Sequence, residues 1–377
     1  MAAVTTDLDA STIFTTLDGV PKVDIASNLR AAVTAGRRVT SILSDIIALQ
    51  RGPGKLTPSE YFYYRLWNPE LKSEDKRRFV GKRAQHRMHL ACNDAHWYAT
   101  AADKLLFHSV ARGAGLPTPE LLAVTHPSRR MRSARTLVGS EQIAAFLREP
   151  ANYPLFAKPI DGKYSLSVVS ADGYDAATDR VLLHGAEPVA PAELAQALTV
   201  RDAGYVLQRR LVPHPDLERL FGPRLWSVRV LVLMTPDGPR VHRALAKIAT
   251  GQNPADNFWR VGNLLGAIDP VTGQIVRTVQ GTGAEAAVNG AHPDSGHQIV
   301  GTSIPGWEDL MTLATEAASV LPGIRTQSWD IALAEQGPVL LEVNFGGDLN
   351  LAQLAEGAGV LDPAYREHLR SCGYRIS

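Results

Sequence analysis

Residues 328–350 read SWDIALAEQGPVLLEVNFGGDLN, and this stretch restricts the fold more than any other in the chain. Two apolar runs, Ile331 to Ala334 and Val339 to Leu341, flank Glu335-Gln336-Gly337, a three-residue loop whose glycine supplies the left-handed position that such a hairpin needs. The two runs are expected to pair antiparallel. With residue 334 facing 338, counting back sets Asp330 opposite Glu342, and the side-chain period of two puts Asn344 on the same face as Glu342. Two carboxylates and an amide converging on an apolar ribbon are costly to bury without a cation, and hard oxygen donors of this kind suit Mg²⁺ held together with phosphates. The same spacing accommodates an Asp and a Glu that face solvent, so the ribbon alone does not decide.

The 377 residues leave room for two or three domains at about 100–200 residues each. With 39 basic and 38 acidic side chains the net charge is +1, which gives no whole-molecule field toward nucleic acid or anionic membrane. Cys92 and Cys372 lie far apart and neither has a CxxC partner, so a reducing compartment without a disulfide framework is expected. The start, MAAVTTDLDASTIF, has acids and no basic segment before an apolar core, unlike a secretory leader. The longest apolar runs, such as Val228 to Met234 with Arg229 inside it, fall short of the roughly 20 residues of a membrane span. A soluble, cytoplasmic protein is the expectation.

Along the chain, residues 1–95 read as helical and partly basic. Apolar positions from Leu29 to Ile47 recur at helical spacing and predict one helix from Ile25 to Gln50. The aromatic group from Tyr61 to Trp67 reads as packing, and the basic run from Lys72 to Arg87 as a solvated helical face. Asp103-Lys104 opens a helix, and Tyr153 to Pro159 is a strand that delivers Lys158 into the turn Asp161-Gly162, which runs on through Ser165. Small residues and free backbone N–H groups there suit phosphate oxygens, and a lysine beside them strengthens that reading. A strand through Tyr205 to Val212 turns polar at Gln208 and Arg209; then a strand pair carries Arg229 on one member and Arg243 and Lys247 on one face of the other. Buried basic groups need anionic partners. The GxxxxGK[ST], GxSxG and HExxH patterns are absent.

In this order the pieces resemble the ATP-grasp superfamily. FAKPIDGKYS, the DNF…GN…AID loop and LLEVNFGGDLNLAQ look most like the sugar-transfer associated ATP-grasp group, over roughly residues 57–370. The resemblance implies an α+β chain with the ATP-grasp fold: an N-terminal helical region (1–95), a pre-grasp segment with the lid subdomain (96–207), and a C-terminal, mixed-sheet subdomain carrying the metal site (208–377), the two α+β subdomains clasping ATP.

By the same resemblance Lys104 and Lys158 hold phosphates, Asp161 to Ser167 close over them, and Gln208, Arg209 and Leu211 form the hinge against adenine. Asp330, Glu342 and Asn344 hold Mg²⁺, while Arg229, Arg243 or Lys247 stabilise developing charge; Asn263 is expected beside the metal or the acyl phosphate. The group's usual acid after the hinge glutamine is replaced by Arg209 and Arg210, leaving Asp216 or Glu218 for the ribose. The implied reaction is Mg-ATP-dependent joining of a small-molecule carboxylate to an amine through an acyl phosphate, in polysaccharide or natural-product biosynthesis. A hydroxyl-phosphorylating kinase on the same fold and a non-catalytic nucleotide-binding scaffold are the alternatives, and a homodimer is left open.

Overall fold

The computed structural model describes residues 23–376 apart from 163–166, 200–202, 252 and 254. Ser165 and the chain start considered above as a leader therefore lie outside the described residues. The first helices are α1 (Ile25–Thr34) and α2 (Val39–Arg51). They are two rather than the single predicted helix because Gly36 sits at φ +85, a left-handed conformation that an α-helix cannot contain. A capping box between Thr57 and Glu60 starts α3 (Pro58–Tyr63). The basic run divides between α4 (Ser73–Lys76) and α5 (Lys82–Cys92). It is not wholly a solvated face, since Lys76 is buried with its Nζ 2.7 Å from Asp45. Helices α6 (Tyr98–Ala102) and α7 (Lys104–Gly113) follow; Asp103 caps α7 by accepting from the backbone N–H of Leu105 and Leu106.

The first sheet has the order β2-β1-β6-β3-β4-β5. Its strands are β1 (Leu121–Thr125), β2 (Arg135–Leu137), β3 (Leu155–Pro159), β4 (Val169–Asp175), β5 (Arg180–Leu183) and β6 (Tyr205–Arg209). Here β1 and β2 pair parallel and the other neighbours antiparallel. Helices α8 (Gly139–Leu147) and α9 (Pro191–Ala197) bury Ile143, Phe146 and Leu194 against Leu155, Ala157 and Leu207.

After α10 (Pro215–Phe221), the second sheet runs β10-β9-β8-β7-β11-β12. It comprises β7 (Ser227–Thr235), β8 (Gly238–Ile248), β9 (Leu264–Ile268), β10 (Ile275–Gln280), β11 (Thr326–Ala334) and β12 (Gly337–Phe345). All five pairings are antiparallel, where a mixed sheet was expected. Alternation splits its apolar residues between two cores. Val228, Val230, Val232, Ala244 and Ala246 pack on α11 (Trp307–Val320), whereas Leu231, Leu233, Leu245 and Leu265 pack against Tyr61, Phe62, Trp67 and α12 (Leu349–Glu356). The chain ends in α13 (Pro363–Ser371).

The N-terminal helices thus share a core with the second sheet, and Gln353 of α12 stitches them to it. Its amide nitrogen donates to Tyr64 Oη (3.0 Å) and Val80 O (2.9 Å), and its Oε1 accepts from Val80 N (2.7 Å). Gln353→Leu leaves the Val80 N–H buried without a partner and leaves the Val80 carbonyl only the longer contact from Tyr64 Oη at 3.4 Å. It should lower the unfolding free energy, measured by urea denaturation, by about 2–4 kcal/mol.

Candidate functional site

The late ribbon forms as expected, but by a different count. Ala334 pairs with Gly337, so the turn is Glu335-Gln336 alone, with Gly337 at φ +103. A bulge then intervenes: Ile331 faces Leu340, Asp330 faces Glu342, and Leu341 is the extra residue. Without the bulge, the shorter turn would have put Glu342 on the opposite face of the sheet. With it, Glu342 and Asn344 share the face that carries Asp330, Arg229 and Leu245, since these lie opposite one another across three pairings.

At the centre of this face is a buried chain of charges. Arg229 donates to Asp330 through Nε and Nη2, both at 2.7 Å, and Lys247 Nζ lies 3.1 Å from Asp330 Oδ2. Lys247 also reaches Asp256 at 3.4 Å, and Asp256 accepts from Ser227 Oγ. Burial pushes the Asp330 carboxyl up, yet Arg229 and Lys247 outweigh it and hold the group well below the usual carboxylate range. Burial lowers Lys247, but Asp256 and Asp330 raise it further. Asp256 entered the sequence reading only as part of the DNF motif and was given no role there, although an acid in an amide-rich loop just after a lysine-bearing strand was the available signal.

Two lysines approach from the other side. Lys158 on β3 donates to the carbonyl of Leu341, the bulged residue, at 3.3 Å. Lys104 at the start of α7 donates to the Gly162 carbonyl and lies 3.7 Å from Glu342 Oε2. Burial lowers Lys158 to about 8, with Glu342 raising it and Lys104 lowering it. A cavity of about 360 Å³ lies between the sheets and is lined by Lys104, Lys158, Gly162, Gln208, Leu211, Lys247, Asp256, Asp330 and Glu342. Glu342 offers hard oxygen donors here, and Asn344, on the same face of β12 but not among the lining residues, has its Nδ2 buried with no partner among the described residues. An amide left unpartnered in this way fits a site completed by a ligand, and an all-oxygen donor set fits Mg²⁺ beside phosphates.

The remaining expected residues are dispersed. Gln208 is buried and, like Arg209 and Arg210, borders the cavity, although the Arg209 guanidinium donates to the carbonyls of Ala151 (3.0 Å) and Tyr153 (2.7 Å). Arg210 pairs with Asp172 at 2.5 Å. Asp216 lies 3.3 Å from Arg219 on the surface, whereas Glu218, one step along α10, lines the cavity. Asp161 adjoins Gly162 at the end of β3 but is not among the lining residues. Arg243 shares the Lys247 face but pairs with Glu356 (3.2 Å) and Asp362 (2.7 Å), away from the cavity. Asn263 spends its amide within its own loop, accepting from Thr250 N and Asn253 Nδ2 and donating to the carbonyls of Ala255 and Asn257. It is a loop staple rather than a group facing a metal.

The N-terminal helices fasten the turn that follows β12. Gln85 of α5 donates to Gly347 O (3.1 Å) and accepts from Leu349 N (3.2 Å), Lys82 pairs with Asp348, and Asn350 Nδ2 donates to Tyr63 Oη at 3.2 Å. Gly347 at φ +55 has Ser328 where a Cβ would stand, so only glycine lets the chain turn here from β12 into α12.

The model of the sugar-transfer associated ATP-grasp family matches residues 83–366. No curated protein matches. Similar solved structures include L-amino acid ligase from Bacillus licheniformis (15% identity, 73% of this chain and 49% of that one, TM-score 0.40). D-alanine-D-alanine ligase from Coxiella burnetii is another (14% identity, 74% and 60%, TM-score 0.40). A third is N5-carboxyaminoimidazole synthase from Aspergillus clavatus in complex with ADP and a ribonucleotide (11% identity, 79% and 59%, TM-score 0.40). The chain spans about half to three fifths of the length of these proteins, and at such scores the likeness carries no argument. Among the described residues no helix is long and apolar enough to cross a membrane.

Removing one member of the buried charge chain exposes its dependence on pairing. Arg229→Leu should cost about 3 kcal/mol of unfolding free energy, because Asp330 keeps only Lys247 as partner. The double variant Arg229→Leu/Asp330→Leu should recover a large part of that loss in the same denaturation assay.

Proposed function

The chain belongs to the sugar-transfer associated ATP-grasp family, its two sheets being the halves of that fold, and on this premise we propose that it is an Mg-ATP-dependent ligase joining a small-molecule carboxylate to an amine. The observation that carries the reading is the meeting of Lys104 and Lys158 from one side of the cavity with Glu342 and the Leu341 carbonyl from the other. Cations facing a carboxylate across a cleft of this volume suit a triphosphate bound with a metal ion.

In this reading Lys158 and Lys104 bind phosphate oxygens, Gln208 and Leu211 border the base, and Glu218 takes the ribose position that Asp216 leaves. Glu342 and Asn344 hold Mg²⁺, with Asp330 behind them already neutralised by Arg229 and Lys247. Bound there, the ion would draw charge from the phosphates and lower the barrier to γ-phosphoryl transfer. Arg229 and Lys247, fixed by Asp330, present positive charge without having to reorganise as negative charge develops. A carboxylate is a poor electrophile until phosphorylated; the protein's part is to orient it, exclude water and hold the amine near the acyl carbon. Arg243, engaged by Glu356 and Asp362, has no part in this scheme.

Incubation with ATP, a panel of carboxylic acids and hydroxylamine tests the reaction: an acyl phosphate is trapped as a hydroxamate with stoichiometric ADP. A phosphorylated alcohol without hydroxamate would replace ligation by kinase chemistry, and ATP binding with no ADP from any acid would leave a scaffold. Glu342→Gln should reduce turnover by about 100-fold, read as ADP release.

Lys158 supplies a pH signature. Its lowered proton affinity means that it loses charge as pH rises through about 8 in the free protein, whereas a bound polyphosphate raises its affinity for the proton. Nucleotide binding above pH 8 should therefore take up a proton, and the Kd should rise by up to about tenfold per pH unit. Calorimetry in buffers of different ionisation enthalpy reads the uptake, and Lys158→Ala should abolish it.

A further inference from the structure

The chain's two cysteines, remote in sequence, meet at the far end of β11 from its turn. Cys92 is the last residue of α5, Cys372 ends α13, and His368 lies one helical turn before Cys372 on the same helix face. The two Sγ atoms and an imidazole nitrogen of His368 all lie within 4.8 Å of one another, with Cys372 Sγ 3.7 Å from Nε2. Zinc held by sulfur at about 2.3 Å and nitrogen at about 2.0 Å spaces tetrahedral donors roughly 3.5–3.8 Å apart, so closing on an ion requires a contraction of about 1.3 Å at most.

The surroundings favour a cation. Cys92 and His368 are each 3% exposed, and Cys372 is half-buried, leaving one side open to solvent. Thr326 Oγ1 lies 2.9 Å from His368 Nε2. His368 Nδ1 is buried and has no hydrogen-bond partner among the described residues. The Cys92 thiol beside Cys372 draws the Cys372 thiol down, and the same contact together with burial pushes Cys92 up. These are soft and borderline donors, unlike the hard oxygens of the central cavity.

We propose that Cys92, His368 and Cys372 form a zinc site, with water at the fourth position, that ties the end of α5 to the last helix beside Thr326. On binding, Zn²⁺ forms bonds to the Cys372 thiolate, to His368 Nε2 and to the Cys92 sulfur, whose S–H proton is released to solvent. No oxidation is involved. The ion would anchor the helix whose Lys82 and Gln85 hold the Gly347–Leu349 turn, at the start of the strand that carries Asp330.

The full chain, purified under reducing conditions and stripped of metal by a chelator, is titrated with Zn²⁺ alone and separately with Co²⁺. One equivalent of zinc, a sulfur-to-cobalt charge-transfer band with tetrahedral d–d absorption, and a zinc-dependent rise in Tm are expected. Cys372→Ser, at the half-exposed corner, should weaken zinc binding by at least about tenfold and remove the Tm rise while its circular dichroism is unchanged. If that variant fails to fold, the cobalt spectrum of the parent chain still decides. A parent chain that takes up no zinc and keeps two titratable thiols overturns the proposal, as does one whose thiols are joined in a disulfide before reduction, or a Cys372→Ser variant that binds zinc like the parent.

Discussion

Asp330, a carboxylate removed from solvent, holds two cations at the middle of the second sheet, and the surrounding layers are arranged to keep it so. It lies between β7 and β12, takes both prongs of Arg229, and shares Lys247 with Asp256. Such a cluster adds little net stability, because desolvating four charged groups offsets most of their attraction. What it provides is placement: Lys247 is fixed in the cavity wall with Arg229 behind it, their charge locally balanced, so that Glu342 at the edge stands as the acid facing Lys104 of α7. Electrostatic preorganisation of this kind requires a rigid support, and apolar packing on both faces of the sheet supplies it.

The N-terminal helices belong to that support. Their aromatic residues share a core with the strands carrying Arg229 and Lys247, and Gln85, Lys82 and Tyr63 fasten the glycine turn that follows β12. In this chain a helical layer packs on one face of the second sheet and shares its core.

Much of this was legible in the residues. Alternation alone put Asp330 opposite Glu342, and the order of the lysine strand, the hinge strand and the late ribbon carried the family resemblance. The register was reached through two compensating differences: the turn is one residue shorter than a glycine at its end implied, and the Leu341 bulge returns the missing residue. Bulges answer to packing across the sheet, which a single strand does not display. Arg243 and Lys247 look equivalent by period two, yet the acids that claim Arg243 come from α12 and the loop beyond it, contacts across more than a hundred residues. Cys92 and Cys372 seemed unrelated for the same reason. Helical periodicity did not reveal the interruption at Gly36, because apolar spacing continues on both sides of it.

The contact between Lys158 and the Leu341 carbonyl has an uneven genetic footprint. Every residue that position 341 could acquire brings the same main-chain oxygen, so substitutions on that half of the clasp leave the acceptor in place. The other half depends on one amine at the end of one side chain. Drift at position 341 can therefore proceed without losing this contact, while exchange of Lys158 removes it.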